Sequence, residues 1–304
     1  MISPAPLTGR PAARPLLDAA LFRQLEQLTL VNRRRLATSG KGERRSLRRG
    51  SSLEFVDYRQ YTPGDDLRQI DWNVFGRLDN LVLKLFEDEE VLSVHFLIDV
   101  SRSMDWGTPN KLDYACQVAA ALGYVALTGY DTVEVLALAD RAPRHFGPAR
   151  GRSGVAGLFR MLGELSGVGR TDLDGNCRLF AGRPRPPGLV LLFSDLLDPT
   201  GYEKPLSRLR RQGHEVVVLH HLSPQELRPD EAGDLRLVDR ETGESMEVTI
   251  DQRAIDQYLA RLGDWQRQIA GFCRRHNIAY HVLDTSRPLA QLLFRDLRLH
   301  GVLA

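Results

Sequence analysis

The sequence predicts an α/β fold: a doubly wound, mostly parallel, Rossmann-like sheet, preceded by an N-terminal helix and a small β accessory region. From residue 91 onward, apolar stretches of strand length alternate with helical patterns. Such alternation gives a parallel sheet covered on both faces. Two of the strands end on an aspartate. Val91-Leu92-Ser93-Val94-His95-Phe96-Leu97-Ile98 runs into Asp99, and Leu189-Val190-Leu191-Leu192-Phe193-Ser194 runs into Asp195. Open α/β sheets bind their ligands at that carboxyl edge. Residues before 91 lack this rhythm, which sets them apart as an accessory region.

Along the chain, residues 1–15 carry Pro4, Pro6, Pro11 and Pro15 and are expected to form a loose tail. Leu17, Leu21, Leu25 and Leu28 recur at helical spacing, which predicts an amphipathic helix over about 16–37. Residues 33–50 are basic and glycine-interrupted (Arg33, Arg34, Arg35, Lys41, Arg44, Arg45, Arg48, Arg49 against Glu43 alone) and read as a solvated loop. A strand is expected at 53–61. Pro63-Gly64-Asp65-Asp66 signals a turn, with Asp65 or Asp66 as cap of a short helix on which Trp72 packs down. A further strand at 81–87 completes the region 16–90.

The main domain, 91–304, opens with the strand ending at Asp99. Asn110 is the expected N-cap of a helix over 111–128, with Leu112, Ala115, Cys116, Ala119, Leu122 and Ala126 on one face. A strand at 132–139 follows, then helices at 153–166 and 172–181. Next come a strand at 188–194, a helix at 203–212 and a strand at 215–220. Residues 235–238 and 246–250, joined through Glu241-Thr242-Gly243-Glu244, form a hairpin inserted near 234–250. A long helix is expected at 252–276, with Ile255, Leu259, Leu262, Ile269 and Phe272 inward. A last strand (279–283) and a last helix (288–299) close the domain.

Composition limits the function classes. With 304 residues, 42% of them hydrophobic, the chain can bury a sizeable core, and a net charge of +2 gives no overall pull toward nucleic acid. Cys116, Cys177 and Cys273 lie far apart, with neither a disulfide framework nor a zinc spacing, and read as buried thiols. The start lacks a signal-peptide pattern, and the apolar stretch 118–127 falls short of the roughly 20 residues of a membrane span. A cytoplasmic location without a transmembrane segment is the resulting expectation.

The chemistry-bearing constellation is Asp99, Ser101, Ser103, Thr171 and Asp195. Hydroxyls coordinate a cation without cancelling its charge. Two carboxylates acting through water would leave that cation electrophilic and open to an anionic oxygen from outside. Hard cations take such oxygen donors, and magnesium readily keeps waters in its shell. The site is therefore expected to hold Mg2+, with Mn2+ or Ca2+ as the other oxygen-seeking candidates.

Asp99-Val100-Ser101-Arg102-Ser103, then Thr171, then Asp195, resembles the metal-ion-dependent adhesion site of von Willebrand factor A-like domains. In that family the serines and threonine bind magnesium and the two aspartates support it, often through water. Glu54-Phe55, the run from Arg59 to Trp72 containing Tyr61-Thr62-Pro63-Gly64-Asp65-Asp66, and Lys84-Leu85-Phe86-Glu87 are similar to the bacterial family catalogued as domain of unknown function fifty-eight. Gly213-His214-Glu215-Val216 and Pro224-Gln225-Glu226-Leu227 extend the likeness. The resemblance implies a von Willebrand factor A-like fold and a non-enzymatic binding role. It also implies a MoxR-type AAA+ ATPase as partner, and a client protein that supplies a Glu or Asp to the metal. Arg102 stands where many relatives have a small residue, and a cation there opposes metal binding unless it points away.

Two other readings compete. Asp99 could be the nucleophile of a Mg-dependent phosphohydrolase, although Ser101 stands where an acid/base carboxylate would be needed and no lysine is obviously placed to hold phosphate. Residues 33–50 could serve a nucleic-acid or membrane-surface adaptor, although no interleaved aromatics are present to stack bases. His220-His221 at a strand end reads as packing, and no nucleotide-binding loop or nucleophile elbow occurs.

Overall fold

The structure, a computed structural model, describes residues 16–31, 53–65, 67, 70–88, 91–139, 144–230, 232–299 and 301–304. The expected proline-rich tail and basic loop, and Asp66, lie outside the described residues. The chain divides into two compact units, Met1–Arg35 with Leu92–Ala304, and Leu36–Val91. The N-terminal helix, α1 (Ala19–Leu25), therefore groups with the large unit and not with the accessory region where the sequence put it. The reason is apolar burial. Leu25, Leu28 and Leu30 are buried in the main core, Leu30 bridges Leu303, and Phe22 meets the ring of Tyr124 edge-on at 4.9 Å.

In the small unit, β1 (Leu53–Gln60) and β2 (Val82–Asp88) pair antiparallel, with α2 (Trp72–Leu78) between them in sequence. Asp71 caps α2, accepting from the N–H groups of Asn73 (3.0 Å) and Val74 (3.3 Å). The sequence had pointed to Asp65 or Asp66. Asp65 instead closes its own turn, accepting from the Thr62 N–H at 2.9 Å and pairing with Arg59 at 2.7 Å. Trp72 does not pack down as expected. It is 60% exposed, because this two-turn helix buries none of its residues and offers the ring an edge contact with Phe75.

The large unit is a six-stranded sheet flanked by helices. Its strands are β3 (Ser93–Asp99), β4 (Thr132–Leu138), β5 (His145–Arg150), β6 (Leu189–Ser194) and β7 (Glu215–Leu222), with β10 (Ala279–Asp284) after the β8–β9 hairpin (Gly233–Val238, Ser245–Ile250). Their spatial order is β10-β7-β6-β3-β4-β5, parallel except for β5. Alternate residues of β3 serve the two faces: Val94, Phe96 and Ile98 enter one core, Leu97 the other. β5 escaped the sequence reading because Gly147 and Pro148 interrupt it. Proline is tolerated on an edge strand, and β5 is one.

The helices are α3 (Lys111–Thr128), α4 (Val155–Gly163), α5 (Leu173–Ala181), α6 (Glu203–Arg211), the single turn α7 (Pro224–Leu227) and α8 (Gln252–Arg275). A broken helical segment spans 289–299, and Leu303 beyond it bridges back to Leu30. Asn110 caps α3 as expected, accepting from the Asp113 N–H at 3.1 Å. The sequence suggested one buried face for α3, yet α3 is buried almost all round. Small alanines allow close packing on the sheet, and α1 covers the outer side at Tyr124. In α8 the C-terminal Ile269, Phe272 and Cys273 are buried. Leu259, expected inward, is exposed, because the first half of the helix extends beyond the sheet's cover.

Candidate functional site

The strand order contains one reversal point. From β3 the chain crosses to β4 on one side, and from β6 it crosses to β7 on the other. Loops leaving β3 and β6 therefore diverge and open a crevice at their carboxyl ends, where doubly wound sheets bind ligands. Asp99 ends β3, and Asp195 immediately follows β6.

Asp99 is 1% exposed and both its oxygens are engaged. Oδ1 accepts from the Ser101 N–H at 3.0 Å, and Oδ2 accepts from the Ser194 hydroxyl at 2.7 Å. The first bond curls the chain so that Ser101 and Ser103 come together, their hydroxyl oxygens 2.9 Å apart. Burial, and then the charge of nearby Asp195, push the Asp99 carboxyl well above the usual range. Two aspartates thus share a desolvated corner, where a second negative charge is costly.

Asp195 is equally buried. Its Oδ1 accepts from the Leu197 N–H at 3.3 Å and its Oδ2 from the ammonium of Lys111 at 2.9 Å. Lys111, 1% exposed, also donates to Glu226 at 2.7 Å. Burial alone would lower its pKa, but Asp195 and Glu226 reverse that and hold it above the ordinary lysine value. Glu226 is fixed by a capping box with Ser223, whose N–H and hydroxyl donate to it at 2.7 and 3.0 Å. The sequence reading missed both Lys111 and Glu226. The available signal was a lysine in the first turn of a helix, where the dipole favours acids. Among the described residues, the corner therefore brings three carboxyl groups, those of Asp99, Asp195 and Glu226, together with the ammonium of Lys111.

Thr171 arrives on a different loop. The Val168 N–H donates to the Val100 carbonyl at 2.7 Å, and the Arg102 N–H donates to the Gly169 carbonyl at 3.3 Å. These bonds lay segment 168–169 beside the Asp99 loop, with Thr171 two residues further on. Asp105 anchors the approach by accepting from the Gly167 N–H at 3.3 Å and from the Asn110 amide at 2.9 Å. Residue 167 must be glycine, because a Cβ there would fall 2.2 Å from the Asp105 Cβ. The Thr171 hydroxyl donates to Glu241 of the hairpin turn at 3.0 Å, a contact between residues 70 apart that the sequence did not suggest. Asp99, Ser101, Ser103 and Asp195 thus share one corner, and Thr171 lies on the loop bonded alongside. Arg102 is exposed.

Among the described residues, no group of three His, Cys, Asp or Glu side chains could hold a metal ion. The candidate donor set is of another kind, with hydroxyls innermost. Ser101 and Ser103 keep lone pairs free beyond their mutual bond, and the aspartates, already bonded to protein donors, are suited to act through water. With carboxylates in excess of ammonium, this donor set fits a hard cation. His220 and His221 are buried, and burial pushes them down to about 3 and about 4, so both rings are neutral packing groups. The cysteines are free and buried, as expected.

The fold is a doubly wound, mostly parallel six-stranded α/β sheet with a buried polar corner at its switch point. The chain belongs to the family described as protein of unknown function DUF58, whose model matches residues 57–271. Its relatives include the uncharacterized protein Rv1480 of Mycobacterium tuberculosis, 29% identical over 265 residues that cover 84% of this chain and 83% of the relative. The uncharacterized protein Mb1516 of Mycobacterium bovis matches with the same identity and coverage. Among solved structures, the conserved hypothetical protein BatB of Bacteroides thetaiotaomicron aligns with a TM-score of 0.42 and 14% identity, over 69% of this chain and 98% of that one. A von Willebrand factor type A protein of Catenulispora acidiphila aligns with a TM-score of 0.40 and 15% identity, over 70% of this chain and 42% of that one. Likenesses at this level say nothing about function. No helix among the described residues is long and apolar enough to cross a membrane.

Proposed function

We propose that this protein is a non-enzymatic, metal-dependent protein-binding module. Ser101, Ser103 and Thr171 would hold Mg2+ through their hydroxyls, with Asp99 and Asp195 supporting it through water. A hard cation bound there supplies an electrophilic position for a carboxylate oxygen of a client protein. The observation that carries this reading is the pairing of the Ser101 and Ser103 hydroxyls beside two buried aspartates, Asp99 bonded only to neutral donors among the described residues, at the sheet's switch point. By family resemblance, the partner is a MoxR-type AAA+ ATPase, and the pair acts in assembly or maturation of protein complexes in the cytoplasm.

One observation favours the phosphohydrolase alternative. Lys111, which the sequence did not mark, sits on Asp195 where a phosphate-holding lysine would be useful. Its ammonium is, however, committed to Asp195 and Glu226, and Asp99 has both oxygens bonded and almost no exposure. A nucleophile needs a path for in-line attack, which so buried a carboxyl lacks, so binding is the better reading. The test is capture from native lysate with Mg2+ and ATP, using wild type, Thr171→Ala and Ser101→Ala/Ser103→Ala. The expected result is capture by wild type that EDTA abolishes and the serine pair variant lacks, with its circular dichroism unchanged. Capture indifferent to both would refute the metal contact, and aryl phosphate turnover lost in Asp99→Asn would restore the enzyme.

A further inference from the structure

The β8–β9 hairpin is almost wholly solvent-facing, and its turn is built with unusual care. The Asp239 N–H donates to the Glu244 carbonyl at 2.8 Å, and the Gly243 N–H to the Asp239 carbonyl at 2.9 Å. The Asp239 carboxylate accepts from the N–H groups of Glu241 (2.7 Å) and Thr242 (3.0 Å). The N–H groups of Thr242 and Glu241, and after them the charge of the Arg170 guanidinium, hold the Asp239 carboxyl below its ordinary value. Gly243 takes φ +77°, which the tight reversal needs.

Within 236–247 every residue is exposed except Glu241. Its carboxylate is turned inward to accept from the Thr171 hydroxyl at 3.0 Å. That hydroxyl is one of the candidate cation ligands and stands on the loop bonded alongside the Asp99 turn, so a carboxylate already sits against the donor set, with Arg170 near the turn to offset part of its charge. A cation held by the Thr171 hydroxyl would be within reach of that carboxylate and would be stabilised by its charge.

We propose that Glu241 is a cis carboxylate ligand of the cation site: the resting protein fills with its own hairpin turn the coordination place that an acidic partner residue takes on engagement. This inference rests on the metal-site reading above. It adds a step of exchange, in which the turn 239–244 lifts away from Thr171 as a client's Glu or Asp enters. Partners are then selected for an acid presented on a protruding element, since only such a shape replaces the hairpin tip.

The test uses the full chain and Mn2+ alone as probe, reading its affinity and the water-proton relaxivity per bound ion in wild type, Glu241→Gln and Ser101→Ala/Ser103→Ala. Glu241→Gln is nearly isosteric on a surface turn, so its melting temperature should match wild type. The expected result is roughly tenfold weaker Mn2+ binding in Glu241→Gln, with higher relaxivity because water enters the vacated place, and no binding in the serine pair variant. Relaxivity per bound ion equal in wild type and Glu241→Gln would overturn the cis ligand and leave the metal reading standing. Absence of Mn2+ binding in wild type, or binding that survives loss of both serines, would overturn both.

Discussion

Glu134 and Asp99 lie on neighbouring strands of one sheet, and both are buried, yet their surroundings treat a negative charge in opposite ways. Glu134 accepts from Arg185 through both oxygens (2.7 and 2.8 Å) and also meets His95 at 3.0 Å and His145 at 2.7 Å. Burial would raise its pKa, but bonds from His95, Arg185 and His145 outweigh burial and hold the carboxyl far below the usual range. Among the described residues, Asp99 receives only neutral donors, with Asp195 as its charged neighbour, and is held far above that range. The first arrangement is closed: each oxygen has a cationic or ring N–H partner, and the fold gains rigidity. The second is left short of positive charge at the edge where this topology binds ligands. That contrast separates a structural acid from a functional one where burial alone cannot.

The largest expected effect is at Lys111. Lys111→Met leaves Asp195 and Glu226 without their buried counter-ion and should cost about 3–5 kcal/mol of stability in urea unfolding. Arg185→Ala should cost less, about 2–3 kcal/mol, because His95 and His145 still bond Glu134. Saturating Mg2+ sharpens the comparison. It should recover part of the Lys111→Met loss and none of the Arg185→Ala loss, and equal recovery in both would break the distinction.

The smallest expected effect is in acid. The folded-state pKa of Glu134 is depressed, so its stabilisation is present above the ordinary glutamate value of 4.5 and is lost as pH falls below it. Unfolding free energy measured from pH 6 down to pH 3 should therefore fall less steeply in Glu134→Gln than in wild type. Parallel slopes would contradict the closed arrangement.

How far the sequence reading reached depended on the range of each interaction. Asp99, Asn110 and Asp195 were legible because strand ends and caps are local patterns. The doubly wound sheet was legible because each strand and helix carries its own periodicity. Lys111 was not, because its partners lie 84 and 115 residues away and its position reads as an ordinary helix start. β5 was hidden by Gly147 and Pro148, which only an edge position tolerates. Trp72 misled because aromatic residues usually bury, and nothing local says that α2 lacks a buried face. The Thr171–Glu241 contact joins two loops whose separate sequences give no sign of each other.

Calorimetric titration of Mg2+ into wild type and into Ser101→Ala/Ser103→Ala tests the central claim most directly. The account expects stoichiometric binding by wild type and an affinity lower by roughly 100-fold or more without the two hydroxyls. Equal binding by both proteins, or none by wild type, would contradict it.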